Sequence, residues 1–119
     1  MRINMEMTGL KKLQKRMIRT NANLAPLVRK CVQQACVDVQ EKAQENAPER
    51  TGYLKKNIEV SIIDDYTGEV TAAADYSEYV ELGTRFMVPQ PFMKPAVEAV
   101  KPEFVRNLKK AIMTSLEGD

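Results

Sequence analysis

The most constraining feature of this chain is a long amphipathic stretch that lies between Pro26 and Pro48. Proline is tolerated in the first turn of a helix, but further along it interrupts the helix. We therefore predict one helix that continues to about Asn46, about 30 Å long at 1.5 Å per residue. Its apolar side chains recur every three or four positions, and they are Leu27, Val28, Cys31, Val32, Ala35, Val39 and Ala43. Because this stripe is made of small residues, a sheet or another helix can approach it closely.

Alternating segments predict a small antiparallel sheet. Residues 58–63 and 69–74 alternate apolar and more polar side chains with the period of a strand, and residues 64–68 between them carry turn chemistry. Residues 2–7 alternate in the same way and predict a further strand. The two longer segments read as a hairpin with one face on the core.

A final helix is predicted to start near Pro91. Its apolar residues repeat every four positions, and they are Phe92, Ala96, Val100, Phe104, Leu108 and Ile112. Pro102 lies inside this pattern and should kink or split the helix, because it lacks an amide hydrogen and clashes with the preceding turn.

Two shorter helices are expected between these elements. Thr51 is a candidate N-cap for a turn of helix over residues 52–57. Asp75 and Glu78 have the spacing of a capping box, and Gly83 would close the helix that follows. Three apolar residues of that helix would share one face, and they are Tyr76, Tyr79 and Val80. A third strand through residues 79–82 is the alternative interpretation.

Together these patterns predict a single α+β domain over residues 1–119, with a small antiparallel sheet packed by the long helix and the C-terminal helix. At 119 residues the chain can bury about two-thirds of its extended surface, which is enough for a hydrophobic core without stabilising disulfides or metals. No apolar run approaches the ~18 residues of a membrane span, so we expect no membrane contact.

Side chains suited to catalysis or metal binding are scarce. The chain has no histidine, and its two cysteines, Cys31 and Cys36, point about 140° apart on a helix. We expect both thiols to be free and buried, and we expect no metal and no cofactor. Asp64 and Asp65 fall in the predicted turn, while Glu78 and Glu81 lack an enclosed pocket or a partner group.

The basic residues are concentrated near the N-terminus. Residues 1–60 carry 12 basic and 6 acidic side chains, and the total over the chain is 18 and 16. Residues 10–18 have helical spacing with the basic side chains opposite the apolar ones. This basic patch consists of Lys11, Lys12, Lys15, Arg16 and Arg19. It is either a solvated helix face or a surface for nucleic acid or an acidic partner, and no aromatic residue interleaves it for base stacking.

The loop over residues 83–91 is a candidate interaction site. It contains the apolar cluster Phe86, Met87 and Val88 beside two prolines. Exposed apolar clusters of this kind mark contact surfaces, and proline lowers the entropy lost on ordering. The alternative is that Phe86 and Phe92 cover the domain's own core. Arg85 in this loop could hold a carboxylate or phosphate.

Residues 76–96, Tyr-Ser-Glu-Tyr-Val-Glu-Leu-Gly-Thr-Arg-Phe-Met-Val-Pro-Gln-Pro-Phe-Met-Lys-Pro-Ala, resemble the signature of the head–tail joining, neck or tail-completion proteins of tailed phages and prophages. Ala47-Pro48, Thr51-Gly52 and Leu54-Lys55 match an upstream part of that pattern. The resemblance implies a non-enzymatic virion part that forms a homo-oligomeric ring at the neck, contacts other head-connector or tail proteins and touches DNA only transiently. Such a protein would reside in the virion, and in the bacterial host cytoplasm during assembly.

The signature residues carried over by this resemblance would set a subunit contact through a rigid loop, and they are Glu81, Gly83, Thr84, Arg85, Pro91, Phe92 and Pro95. Phe86 joins them as a candidate interface residue because of the exposed cluster. Two other classes stay open from the residues: a small basic nucleic-acid-binding regulator, and an enzyme that uses Glu81 and Arg85.

Overall fold

The fold is seen in a computed structural model, which describes residues 2–6, 24–48, 52–65 and 67–117. In chain order the elements are β1 (Arg2–Glu6), α1 (Leu24–Asn46), α2 (Gly52–Lys56), β2 (Ile58–Ile62), β3 (Thr67–Ala72), α3 (Ser77–Leu82) and α4 (Met93–Glu117). The predicted helix over residues 10–18, its basic patch and the Thr51 cap lie outside the described residues.

The sheet has three strands in the order β1-β3-β2, and both pairings are antiparallel. Val70 at the centre of β3 lies opposite Val60 on one side and Ile3 on the other. The turn between β2 and β3 is closed by backbone hydrogen bonds, including Ile63 N–H to the Thr67 carbonyl at 2.9 Å. Both the hairpin and the N-terminal strand are confirmed.

Helix α1 packs against the sheet on one side and against α4 on the other. Toward the sheet, Val32 and Cys36 are fully buried. Toward α4, the Cys31 thiol donates to the carbonyl oxygen of Asn107 at 3.5 Å. The Asn46 amide, at the other end of α1, donates to the Phe92 carbonyl at 3.4 Å, so the two long helices run antiparallel. The α+β prediction is confirmed.

Helix α4 is continuous from Met93 to Glu117, and Pro102 does not split it. Of the two predicted outcomes the split is wrong, and a kink stays a prediction. Buried residues on both sides of Pro102, among them Val100 and Leu108, hold the helix against α1. Burying such side chains offsets the roughly 3 kcal/mol cost of an interior proline. Pro102 itself is exposed.

The start of α3 also departs from the prediction. The residue that precedes the helix is Tyr76, and it forms no side-chain cap hydrogen bond, so the Asp75–Glu78 capping box is wrong. Tyr79 is 58% exposed while Val80 is buried, so the expected common face with Tyr76 is wrong as well. The segment is a helix and not the alternative strand, and Gly83 closes it as predicted.

Both cysteines are free thiols, as predicted. Cys36 is fully buried, and desolvation raises its pKa to about 11. Cys31 is only half-buried, contrary to the expectation of two buried thiols, and burial raises its pKa too. Among the described residues, no helix is long and apolar enough to cross a bilayer.

Candidate docking loop

The Glu81 carboxylate lies at the N-terminus of α4. Glu81 is only 7% exposed, and its Oε1 accepts the backbone amides of Phe92 at 3.0 Å and Met93 at 2.8 Å. Its Oε2 accepts the Lys94 amide at 3.2 Å. The carboxylate is thus fully engaged by its own chain, and its negative charge faces the positive end of the α4 dipole.

Every amide hydrogen at the start of α4 has an acceptor. A helix has about four N-terminal amides that lack an intrahelical acceptor. Three of them, from Phe92, Met93 and Lys94, go to Glu81, and the next residue, Pro95, has no amide hydrogen. Pro95 therefore lies in the first helical turn, as the resemblance implied. Pro91 was expected there too, but it precedes the helix and is exposed.

Gly83 has a backbone conformation that other residues resist. Its φ is 76° and its ψ is 175°, a region that is essentially restricted to glycine. A Cβ atom there would also stand 2.8 Å from the Met87 carbonyl oxygen. Glycine at this position lets the chain leave α3 and turn back immediately.

The loop after Gly83 forms a tight four-residue turn over residues 84–87. The Thr84 amide donates to the Met87 carbonyl at 2.9 Å, and the Met87 amide donates to the Thr84 carbonyl at 3.3 Å. The Thr84 hydroxyl accepts the Phe86 amide at 3.1 Å. At the tip, the Arg85 guanidinium lies 5.6 Å from the centre of the Phe86 ring, within cation–π range.

Apolar side chains at this end of the molecule are turned to solvent. Phe86 is 91% exposed, so the interpretation that it covers the domain's own core is wrong, whereas Phe92 is fully buried. Within ten residues five large apolar side chains are exposed, and we call them the 79–88 surface: Tyr79, Leu82, Phe86, Met87 and Val88. The sequence predicts exposure of the last three. Tyr79 and Leu82 were not predicted, because apolar residues of a helix are expected on its buried face.

The predicted site residues differ in burial. Thr84, Arg85, Phe86, Pro91 and Pro95 are exposed, Gly83 is partly buried, and Glu81 and Phe92 are buried. The Glu81 carboxylate accepts α4 amides, whereas the Arg85 guanidinium lies over the Phe86 ring. In the described part of the chain, no group of three or more metal-ligating side chains forms.

Residues 10–83 match the family described as "Bacteriophage HK97-gp10, putative tail-component". The chain belongs to this family. The predicted resemblance to a phage tail family is confirmed, and membership of the HK97-gp10-like family makes the protein a phage structural component of the virion. The match reaches Glu81 and Gly83 and ends before the exposed turn. Comparisons with curated proteins and with solved structures found no match.

Proposed function

We propose that this protein joins heads to tails, or completes the tail, in a long-tailed phage or a prophage. It would act at the neck as a ring of identical subunits, without catalysis, against neighbouring head-connector or tail proteins. The observation that carries this proposal is the 79–88 surface, a set of exposed apolar side chains on a short helix and a hydrogen-bonded turn.

The size of this surface supports a protein contact. Burying one Phe, Leu or Val side chain stabilises a contact by about 1.5–3 kcal/mol, and Phe86, Leu82 and Val88 are each more than two-thirds exposed. Aromatic residues and arginine are the side chains enriched at interface centres, and Arg85 and Phe86 form the tip of the turn.

In a ring each subunit contacts its two neighbours through two different faces, because the same head-to-tail contact repeats around the rotation axis. The uneven distribution of charge supports this arrangement, since a basic N-terminal half can face an acidic C-terminal half in the next copy. We propose that the 79–88 surface, with Thr84 and Pro91 beside it, forms one of these faces and docks on the neighbouring copy.

The basic patch is proposed to face an acidic protein neighbour. Tight DNA binding would hinder passage of the genome through a neck, so any DNA contact would be transient. Reversing the charges of Lys12, Lys15 and Arg16 is expected to block joining while the fold is retained. Normal joining by that variant would count against this contact.

The test of the proposed function is removal of the gene from its phage or prophage, followed by electron microscopy of the lysate. We expect filled heads and separate tails in place of complete particles. Purified protein added to that lysate should restore infectious particles. Complete, infectious particles in the absence of the protein would overturn the proposal.

A further inference from the structure

The loop between α3 and α4 is held at both of its ends by its own chain. At the first end, the Gly83 amide donates to the Tyr79 carbonyl at 2.8 Å, which ends α3. At the far end, the Gln90 amide donates to the Val80 carbonyl at 2.8 Å. Residues 83–90 therefore leave α3 and return to it, as in a compact Ω-loop.

Glu81 holds the next part of the returning chain. Its carboxylate projects from α3 and binds the three amides at residues 92–94, directly after the loop returns. Hydrogen bonds to a charged acceptor are roughly twice as strong as neutral ones. One buried side chain thus connects the helix before the loop to the helix after it.

We propose that Glu81 is a positioning residue for the 79–88 surface, which rests on the proposed docking role of that surface. By fixing α4 against α3, the carboxylate sets the separation of the two loop ends. The turn over residues 84–87 is then presented in one geometry before any partner binds. A pre-organised loop loses less entropy on docking. Its apparent dissociation constant also stays close to the intrinsic value, because nearly all molecules have the loop in the binding conformation.

A plain helix cap and a positioning residue differ in how far the effect of Glu81 reaches. A cap would protect only the amides that it binds, at residues 92–94. A positioning residue would also protect the Thr84 and Gln90 amides, which donate to the Met87 and Val80 carbonyls and not to the Glu81 carboxylate. These two amides are therefore the reporters.

The test is amide hydrogen exchange, followed by NMR, on the 119-residue protein and on its Glu81→Ala variant. We expect exchange at Thr84 and Gln90 to become at least about tenfold faster, the equivalent of about 1.4 kcal/mol of lost local stability. Amides in the middle of α1 should exchange as before. Glu78→Ala is the matched control, because Glu78 is exposed on the same helix, and it should change none of these rates.

Unchanged exchange at Thr84 and Gln90, with faster exchange only at residues 92–94, would overturn the proposal and leave Glu81 as a helix cap. If Glu81→Ala does not fold, Glu81→Gln decides the question. Its single amide oxygen can replace Oε1 but not Oε2, so Lys94 should lose its acceptor and the two reporters should exchange faster than in the wild type. Faster exchange at Lys94 with no change at either reporter would again overturn the proposal.

A second measurement separates this proposal from the proposed function. In the joining assay, Glu81→Ala should need about tenfold more protein than the wild type for the same yield of particles, and excess protein should restore the full yield. The exchange experiment uses the isolated protein, so it can succeed or fail whatever the joining assay shows. A normal protein requirement combined with fast reporter exchange would show that loop order is irrelevant to docking and would overturn the positioning role.

Discussion

Gly83 and Pro89 lie so close together that a Cβ atom at residue 83 would stand 2.7 Å from both Cγ and Cδ of the proline ring. The chain reverses direction between these two residues, and the turn with Phe86 at its tip projects from this reversal. Two separate constraints therefore require glycine at position 83: the lack of space beside Pro89 and the Met87 carbonyl, and the positive φ of 76°.

Replacing Gly83 by alanine tests these constraints. We expect Gly83→Ala to lower the free energy of unfolding by about 1–3 kcal/mol, since a backbone conformation restricted to glycine costs about that much for other residues. Urea denaturation measures the change. Adding Pro89→Ala should recover only the part of the loss caused by the proline ring, and should leave the part due to the Met87 carbonyl and to the backbone conformation. Wild-type stability for Gly83→Ala would show that the loop has another accessible conformation.

Gly68 permits close packing between the sheet and α1. A Cβ atom at residue 68 would overlap the Cys36 Sγ atom and stand 3.1 Å from a Val32 methyl carbon. Gly68→Ala should therefore destabilise the fold by about 1–3 kcal/mol through overpacking.

A double-mutant cycle identifies the overlapping partner. Because Cys36→Ala removes the sulfur that the new methyl group would meet, the double variant should lose less stability than the sum of the single variants, by about 0.5 kcal/mol or more. Strict additivity of the two losses would mean that Cys36 is not the obstacle.

Two phenylalanines six positions apart are predicted to have opposite roles. Phe92 is fully buried and Phe86 is 91% exposed. Phe92→Ala should cost about 3–5 kcal/mol of stability, whereas Phe86→Ala should change stability by less than about 0.5 kcal/mol. Thermal unfolding of the two variants measures this difference. A comparable loss for both would mean that Phe86 packs on the core.

We expect the buried Cys36 thiol to make the protein less stable at alkaline pH. Burial raises the pKa of its thiol from 9.0 to about 11, so the folded state keeps a proton that the unfolded state has released. The contribution of this group to the free energy of unfolding is at its full value below about pH 9. It declines as the pH rises from about 9 to about 11.

The contribution of Cys36 can be separated from that of other groups by comparing the wild type with Cys36→Ala. All other side chains are the same in both proteins, so only the difference in slope between pH 8 and pH 11 belongs to the thiol. We expect the wild type to lose stability more steeply over this range. Parallel curves would exclude a buried, proton-retaining thiol at this position.

The regular elements could be predicted because their signals are local. The stripe between Pro26 and Pro48 defines α1 through helical spacing, and the alternating residues 58–62 define β2 through a period of two. In α3 the same reasoning fails, because this six-residue helix buries Ser77 and Glu81 and exposes Tyr79 and Leu82. Apolarity points to the wrong face there, since hydrogen bonds compensate for burying the polar residues.

The contacts that organise the candidate site could not be predicted. The Glu81 carboxylate binds amides eleven to thirteen positions further along the chain, and no periodicity encodes such a contact. The resemblance singled out Glu81, Gly83, Phe92 and Pro95 without indicating which of them faces a partner. The structure separates them by burial: Glu81 and Phe92 are buried, Gly83 is partly buried and Pro95 is exposed.

The central claim is that the protein works by docking the exposed tip of its loop on the neighbouring copy in a ring. The most direct test replaces Phe86 by aspartate in a phage whose wild-type gene has been removed, with Ile63→Asp as the control, because Ile63 is 55% exposed in the β2–β3 turn. Both variants should fold, and particles are counted by electron microscopy. We predict that Phe86→Asp yields unjoined heads and tails even with excess protein, while Ile63→Asp yields complete particles. Complete, infectious particles with Phe86→Asp would contradict the account.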